Sequence, residues 1–254
     1  MNLMLSEALI AASLVFCRIG ACLMLAPGFS SSRFPMQFRI LLAVAASLAL
    51  LPLLWNDMAE TVRARDGSGF LGLMISELLV GIMIGLLARC FVIAVQFSAT
   101  FIANAIGLAG IPGIPIDDSE GSIPFASLIS LSATMVLLAA GLHVEILRAL
   151  VGSYTFLQPG LLPQPEMLLQ AILDTAGDTF LLAARLAAPF AAYAVIVNMA
   201  LGFASRFTPM LQVYFVSTGA IIIGGFFLLA WVLPDWLLLF ATAYRQWLLE
   251  FLVD

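Results

Sequence analysis

Residues 70–106 read FLGLMISELLVGIMIGLLARCFVIAVQFSATFIANAI, and this stretch of 37 residues decides the fold class. It contains no proline, and its only charged residues are Glu77 and Arg89. A helix of this length reaches about 55 Å, whereas the hydrocarbon core of a bilayer is about 30 Å thick. Lipid alone does not explain such a run, so we expect protein to bury some of it.

The composition places the rest of the chain in a membrane as well. Of its 254 residues, 63% are hydrophobic and 10% are charged, and the mean hydropathy is +1.12. Further apolar runs cover about 3–26, 38–54, 124–157, 167–204 and 210–233, followed by an amphipathic tail at 235–253. Alternating strand patterns are missing, and backbone in lipid must satisfy its own hydrogen bonds. We therefore predict an all-α membrane protein of long, kinked apolar helices and helical hairpins.

Charge and motif content argue against several function classes. The net charge of −5 is spread over several loops and provides no basic surface for nucleic acid. The three cysteines lie inside apolar runs, without the spacing of a disulfide framework or a metal site. The common hydrolase, metalloprotease and phosphate-loop motifs are missing, and the chain has one histidine. We expect no catalysis, no cofactor, no metal and no nucleic-acid partner.

Charged residues inside the apolar runs form one set of candidate functional residues. They are Glu7, Arg18, Glu77, Arg89, Glu145, Arg148, Asp174, Asp178 and Arg185. A charge in the bilayer costs roughly 2.5–3.5 kcal/mol on insertion scales, so each should face protein or water. Opposite signs recur on the same helix faces, as with Glu7 and Arg18 or Glu145 and Arg148. This pattern favours ion pairs between helices and subunit contacts; the alternative is a proton or ion relay.

Two other features mark local structure in the long run and after it. Gly81 and Gly85 form a GxxxG pair, which lets a neighbouring helix approach closely. At the other end of the chain, we expect a separate amphipathic helix from Trp236, capped by Asp235. Its aromatic residues suit a membrane boundary, and it serves either as an interfacial anchor or as a docking helix.

Residues 107–123 read GLAGIPGIPIDDSEGSI and interrupt the helical pattern. The glycines and prolines exclude a helix, but the isoleucines are unlike a solvated loop. Irregular backbone at membrane depth is tolerated where it is buried in protein or lines a cavity. A pore plug or constriction would be formed by Gly107, Gly110, Ile111, Pro112, Gly113, Ile114, Pro115 and Ile116. The alternative is an ordinary connector whose acidic half precedes the next helix, and the residues alone leave both open.

Short motifs along the whole chain resemble the FliR/SctT (SpaR) family, the export-gate proteins of type III secretion systems. They are Phe16-Cys17-Arg18 with Pro27 and Pro35, Arg39 with Pro52, Glu77 with Gly81 and Gly85, Gly107-Leu108, His143 with Leu147, Leu150, Ser153-Tyr154 and Pro159-Gly160, and Pro189 with Asn198, Leu201-Gly202, Arg206 and Pro209. The chain departs from the family where an Asp-Pro usually follows the Gly-Leu, and where a proline is usual near Gly219.

The resemblance implies a subunit of a hetero-oligomeric helical export gate in the bacterial inner membrane, at the flagellar basal body. Such a subunit lines and closes a channel for unfolded protein substrates, together with FliP-like, FliQ-like and FlhB-like subunits and membrane lipids. It also implies that residues 1–165 are FliP-like and that residues 166–254 form a FliQ-like helical hairpin, and it assigns the loop 107–123 to the plug.

Two alternatives to a flagellar export gate stay open. The first is an export gate of a virulence injectisome, although the overall pattern favours the flagellar system. The second is a stand-alone proton-coupled transporter that uses Glu77, His143, Asp174 and Asp178.

Overall fold

The computed structural model describes residues 2–29, 35–64, 69–108, 124–207 and 213–250. In these ranges the secondary structure consists of seven helices and no strand, which confirms the all-α fold class. The helices are α1 Asn2–Leu25, α2 Met36–Ala64, α3 Phe70–Ala105, α4 Pro124–Ala139, α5 Leu142–Phe156, α6 Pro165–Phe207 and α7 Val213–Glu250. Five of the described helices are long and apolar enough to cross a membrane, or six spans result if α4 and α5 count as one.

Two helix boundaries differ from those expected from hydropathy. Helix α2 passes through Pro52 and continues to Ala64, because the polar residues after the apolar run are mostly tolerated in a helix. The run 124–157 is not one helix, since Gly141 adopts a left-handed conformation with φ 73° and separates α4 from α5. Glycine enters this conformation without the steric penalty of a side chain.

The expectation of a separate tail helix is wrong. Helix α7 has 38 residues and passes through Pro234, so Asp235 lies inside a helix and does not cap one. Membrane helices accommodate proline because neighbouring groups and local adjustments satisfy the freed backbone. Trp231 is 77% exposed, but Trp236 is buried in the protein.

The chain forms two compact units, and several helices contribute to both. Unit 1 contains Met1–Phe91, Leu137–Ala176 and Tyr244–Asp254; unit 2 contains Val92–Val136 and Gly177–Ala243. The predicted division between 165 and 166 concerns likeness to other subunits and not internal contacts, so it stays a prediction.

The core of unit 1 is built mainly by α1 and α2. Buried side chains of α1, such as Leu14 and Ile19, cluster with Leu54 and Met58 of α2 and with Tyr154 of α5. These positions follow the helical period, so each helix directs one apolar stripe inward. Elsewhere in unit 1, aromatic residues join other helices.

The aromatic contacts of unit 1 connect α3, α6 and α7. The ring of Phe91 lies 5.4 Å from that of Tyr244 and 5.3 Å from that of Trp247. The indole N–H of Trp247 donates to the hydroxyl of Thr175 at 3.2 Å. Tyr244 and Trp247 are therefore packing residues and not exposed aromatics, and the indole of Trp247 finds its partner inside the protein.

Unit 2 contains the second half of α3 with most of α6 and α7. Ile102 of α3, Phe190 of α6 and Phe240 of α7 are fully buried. The hydroxyl of Ser98 donates to the carbonyl of Ala183 at 3.3 Å and joins α3 to α6. Small and hydroxyl residues at helix contacts are typical of membrane proteins.

The glycines Gly81 and Gly85 allow α3 to lie directly against the backbone of α1. A β-carbon at Gly81 would lie 2.2 Å from the carbonyl oxygen of Arg18, and one at Gly85 would lie 2.8 Å from that of Cys22. Any side chain at these positions would force the two helices apart. The contact lies one and two turns beyond Glu77 on the same face of α3.

We predict that Gly81→Ala destabilises the protein, whereas Gly72→Ala does not. Overpacking costs about 1–3 kcal/mol, and a β-carbon at Gly81 meets the backbone of α1, whereas none of the described atoms lies within 4 Å of one at Gly72. On an exposed helix, replacing glycine with alanine stabilises by up to about 1 kcal/mol. The check is the temperature at which detergent extracts of tagged protein lose monodispersity, and equal temperatures for both variants would contradict the contact.

Candidate functional site at a buried ion pair

A fully buried ion pair joins α1 and α3. Arg18 Nε donates to Glu77 Oε2 at 2.7 Å, and Nη2 donates to Oε1 at 3.1 Å. Both residues have 0% exposure. This two-point geometry is the strongest arrangement of a guanidinium and a carboxylate, because it aligns two charge-assisted hydrogen bonds.

The pair also binds α5 and the turn that follows it. Arg18 Nη1 donates to the hydroxyl of Ser153 at 3.0 Å, and Nη2 donates to the carbonyl of Leu157 at 3.1 Å. The backbone N–H of Gly160 donates to Glu77 Oε1 at 3.1 Å. Each charge therefore has partners beyond the other charge, as a pair removed from water requires.

The ring of Tyr154 covers the guanidinium. The Cζ atom of Arg18 lies 3.8 Å from the ring centroid, and Tyr154 is itself buried. A cation over an aromatic face gains about 2 kcal/mol or more when it is desolvated. The aromatic face thus stabilises a charge that lacks water.

Local backbone geometry places the turn against Glu77. Helix α5 ends at Phe156, and the N–H of Leu157 still bonds to the carbonyl of Ser153 at 2.9 Å. Gly160 then adopts φ 78°, a left-handed conformation that glycine favours. This reversal brings its N–H to the carboxylate before α6 begins at Pro165.

The site joins three segments of the chain that are distant in sequence, namely α1, α3 and the turn 157–160. Its charges are sealed from solvent and fully engaged with protein groups, so the arrangement suits the fixing of helices and not the turnover of a substrate. Sequence reasoning singled out Arg18 and Glu77 but did not connect them. It missed the contacts of Ser153, Leu157 and Gly160 with the pair, although Ser153-Tyr154 and Pro159-Gly160 stood among the family motifs.

The structure does not bury the other predicted charges in the same way. Glu145 and Arg148 form an ion pair of 2.8 Å within α5, but their side chains are 19% and 65% exposed. Glu7 is half-buried on α1. Four more of the predicted charged residues are exposed, namely Arg89 of α3 and Asp174, Asp178 and Arg185 of α6. Their role as subunit contacts stays a prediction.

The predicted plug lies almost wholly outside the described residues. Gly107 follows α3 with φ 81°, where it ends the helix. The other seven predicted plug residues, Gly110, Ile111, Pro112, Gly113, Ile114, Pro115 and Ile116, are not among the described positions.

Fold and site together define a class of protein: a multi-pass helical membrane protein whose helices are joined by a sealed ion pair. The sequence matches the family described as "Bacterial export proteins, family 1" over residues 9–247, which include the whole site, and the chain belongs to this family. This membership makes it a component of bacterial protein export, and together with the apolar helices it identifies a multi-pass protein of the inner membrane.

Similar proteins support the same family. A flagellar biosynthetic protein FliR of Caulobacter vibrioides is 29% identical over 236 residues, which cover 92% of this chain and 93% of that protein. The FliR of Aquifex aeolicus is 28% identical over 90% of this chain and 87% of its own length, and that of Bacillus subtilis is 26% identical over 80% and 78%. The resemblance to the FliR/SctT family is thereby confirmed.

We predict that Arg18→Leu destabilises the protein by about 3–5 kcal/mol, because it leaves the carboxylate of Glu77 buried without its counter-charge. Arg18→Leu combined with Glu77→Leu should cost less than the single change, since no isolated charge remains. It should not restore full stability, because the N–H of Gly160 and the carbonyl of Leu157 lose their partners.

The matched control is Arg148→Gln, which breaks an exposed ion pair and should cost at most about 1 kcal/mol. The measurement is the thermal stability of the detergent-extracted wild type and of the three variants. Equal losses for the Arg18 and Arg148 variants would contradict the structural role of the buried pair.

Proposed function

We propose that this chain is the FliR-type subunit of a flagellar export apparatus, and that it lines and closes a channel for unfolded protein substrates. The observation that carries the proposal is the family match over residues 9–247. The names of the similar proteins, all flagellar, favour the flagellar system over an injectisome.

The surface of the chain supports assembly with other subunits. Helix α6 has 43 residues, a length of about 65 Å, which exceeds the hydrocarbon core. Only 22% of the most apolar 18-residue segment of α6 is buried within the chain. For the equivalent segment of α7 the buried share is 17%. The exposed charges Asp174 and Arg185 make lipid an expensive environment for α6.

We therefore assign the exposed faces to contacts with FliP-like, FliQ-like and FlhB-like subunits. In this proposal residues 1–165 are FliP-like, and the two long helices α6 and α7 occupy most of the FliQ-like segment, residues 166–254. Neighbouring helices would surround the exposed charges with polar groups, as α3 and α5 do for Arg18 within the chain.

For the closing element, we propose the loop 107–123. Its apolar and glycine-rich first half is unsuited to a solvated loop, and it directly follows a long apolar helix. Backbone of this kind is tolerated at membrane depth where it lines or fills a cavity. An ordinary connector would explain only the acidic second half of the segment.

The transporter alternative has little structural support. Its proposed carboxylate Glu77 is sealed and engaged by Arg18 and Gly160. Among the described residues, no three His, Cys, Asp or Glu side chains lie together as they would to hold a metal ion.

We predict that deleting 111–116 leaves the assembled complex intact but makes membranes permeable to ions, because the closing segment is removed. Ion flux across vesicles that contain the complex measures the effect, and co-purification with the FliP-like and FliQ-like subunits checks assembly. The control is the double change Asp117→Asn and Asp118→Asn in the acidic half, which should leave flux unchanged. Unchanged flux after the deletion would refute the plug.

We also predict that removing the gene abolishes flagellar filaments and the export of filament proteins into the medium, and that the intact chain restores both. Arg18→Leu should fail to restore them, because the fold of unit 1 depends on that residue. Normal filaments in the deletion strain, or loss of a virulence secretion system instead, would contradict the flagellar assignment.

A further inference from the structure

A short stretch of α7 in unit 2 contacts the helices on both sides of the connection 107–123. We call this stretch, residues 221–226, the α7 hub. Helix α3 leads into the connection and α4 follows it, and each touches the hub at a position close to the connection. Helix α6 contacts the same stretch.

Ile106, the residue directly after α3, packs tightly against the hub. Ile106 has 0% exposure, and a β-carbon at Gly225 would lie 2.5 Å from its Cβ and Cγ2 atoms. The next residue, Gly107, turns the chain with φ 81°, and a β-carbon there would lie 3.8 Å from Ile221. Gly225 is therefore the residue that lets the end of α3 rest against α7.

The first turn of α4 rests on the adjacent hub residue. Phe125 meets Phe226 edge to face, with ring centroids 5.8 Å apart and an interplanar angle of 84°. This is the favoured geometry of an aromatic pair, because the positive edge of one ring meets the negative face of the other. Gly225 and Phe226, which are adjacent in α7, thus contact the end of α3 and the start of α4, respectively.

Helix α6 holds the hub in register. The hydroxyl of Tyr193 donates to the carbonyl of Ile221 at 2.6 Å, and a β-carbon at Gly224 would lie 2.8 Å from the same hydroxyl oxygen. A tyrosine hydroxyl bonded to a helix carbonyl satisfies its polar group in an apolar setting. The hub thus contacts α6 as well as the end of α3 and the start of α4.

We propose that the α7 hub is a positioning site that holds the end of α3 and the start of α4 at a set separation, so that displacement of α7 moves both together. The effect on the channel rests on the proposed function, in which the connection between these helix ends closes it. Gly225 and Phe226 are positioning residues that act through Ile106 and Phe125. No contact between the hub and an exported substrate is required.

The first test measures position and does not depend on channel closure. Spin labels on Asn104→Cys and Leu128→Cys, both exposed in unit 2, report the separation of α3 and α4 by pulsed electron resonance. The three native cysteines are replaced by alanine, and the chain is studied in the complex with its partner subunits.

We predict that Gly225→Ala shifts the distance distribution, because the added carbon displaces Ile106. Its control, Gly219→Ala on the same helix, should leave it unchanged, since none of the described atoms lies within 4 Å of a β-carbon there. Phe125→Ala removes the α4 contact without overpacking and should broaden the distribution, whereas Phe227→Ala, at a 79% exposed position, should not.

The second test is ion flux across vesicles with the same variants. Gly225→Ala and Phe125→Ala should raise the flux toward that of the 111–116 deletion, while both controls stay at the wild-type level. Unchanged distances in both Gly225→Ala and Phe125→Ala would overturn the inference, whatever the deletion does. Shifted distances together with a deletion that causes no leak would instead uphold the positioning site and refute the plug.

Discussion

The structure of unit 1 depends on one constraint, the burial of Arg18 and Glu77 without water. Two charges in an apolar interior are tolerated only when their geometry is close and their remaining donors and acceptors are bonded. Here that requirement brings α1, α3 and the turn 157–160 to one point. Removing either charge leaves the other unpaired, so the contact is specific to these two side chains in a way that apolar packing is not.

Polar side chains on different helices can bond to each other because the helix backbones lie close together. In lipid there is no hydrophobic drive between apolar helices, so association depends on close packing and on buried hydrogen bonds. In unit 1 the glycines Gly81 and Gly85 bring α3 onto α1 beside the ion pair. In unit 2, Gly224 and Gly225 admit Tyr193 of α6 and the end of α3. Each unit thus combines small residues with a few bonded polar groups.

These features fit a protein that works within an assembly. Membership in a bacterial export family identifies the chain as an export component. Its longest helices exceed the thickness of a bilayer, and their apolar and charged faces are largely uncovered within the chain. The same physical rule that surrounds Arg18 with polar groups disfavours lipid around the exposed charges of α6, and neighbouring subunits are the proposed surroundings.

Local pattern was sufficient to predict the class of the fold and much of its outline. Length and hydropathy predicted the membrane class and a helix over 70–106, which differs from α3 by one residue. The cost of a charge in lipid singled out Arg18 and Glu77. The continuation of α2 beyond the run 38–54 and the passage of α7 through Pro234 were not predicted. A proline ends or kinks a helix according to what surrounds it.

The sequence by itself thus determined which segments are helical and which residues need a partner, since both depend on composition and period along one segment. Only the tertiary structure decided that Arg18 meets Glu77, 59 residues away, and that Gly160 completes the site. The physical reason is that a partner is selected by which helix faces come together, and that information lies in the packing of distant segments and in no single stretch of the chain.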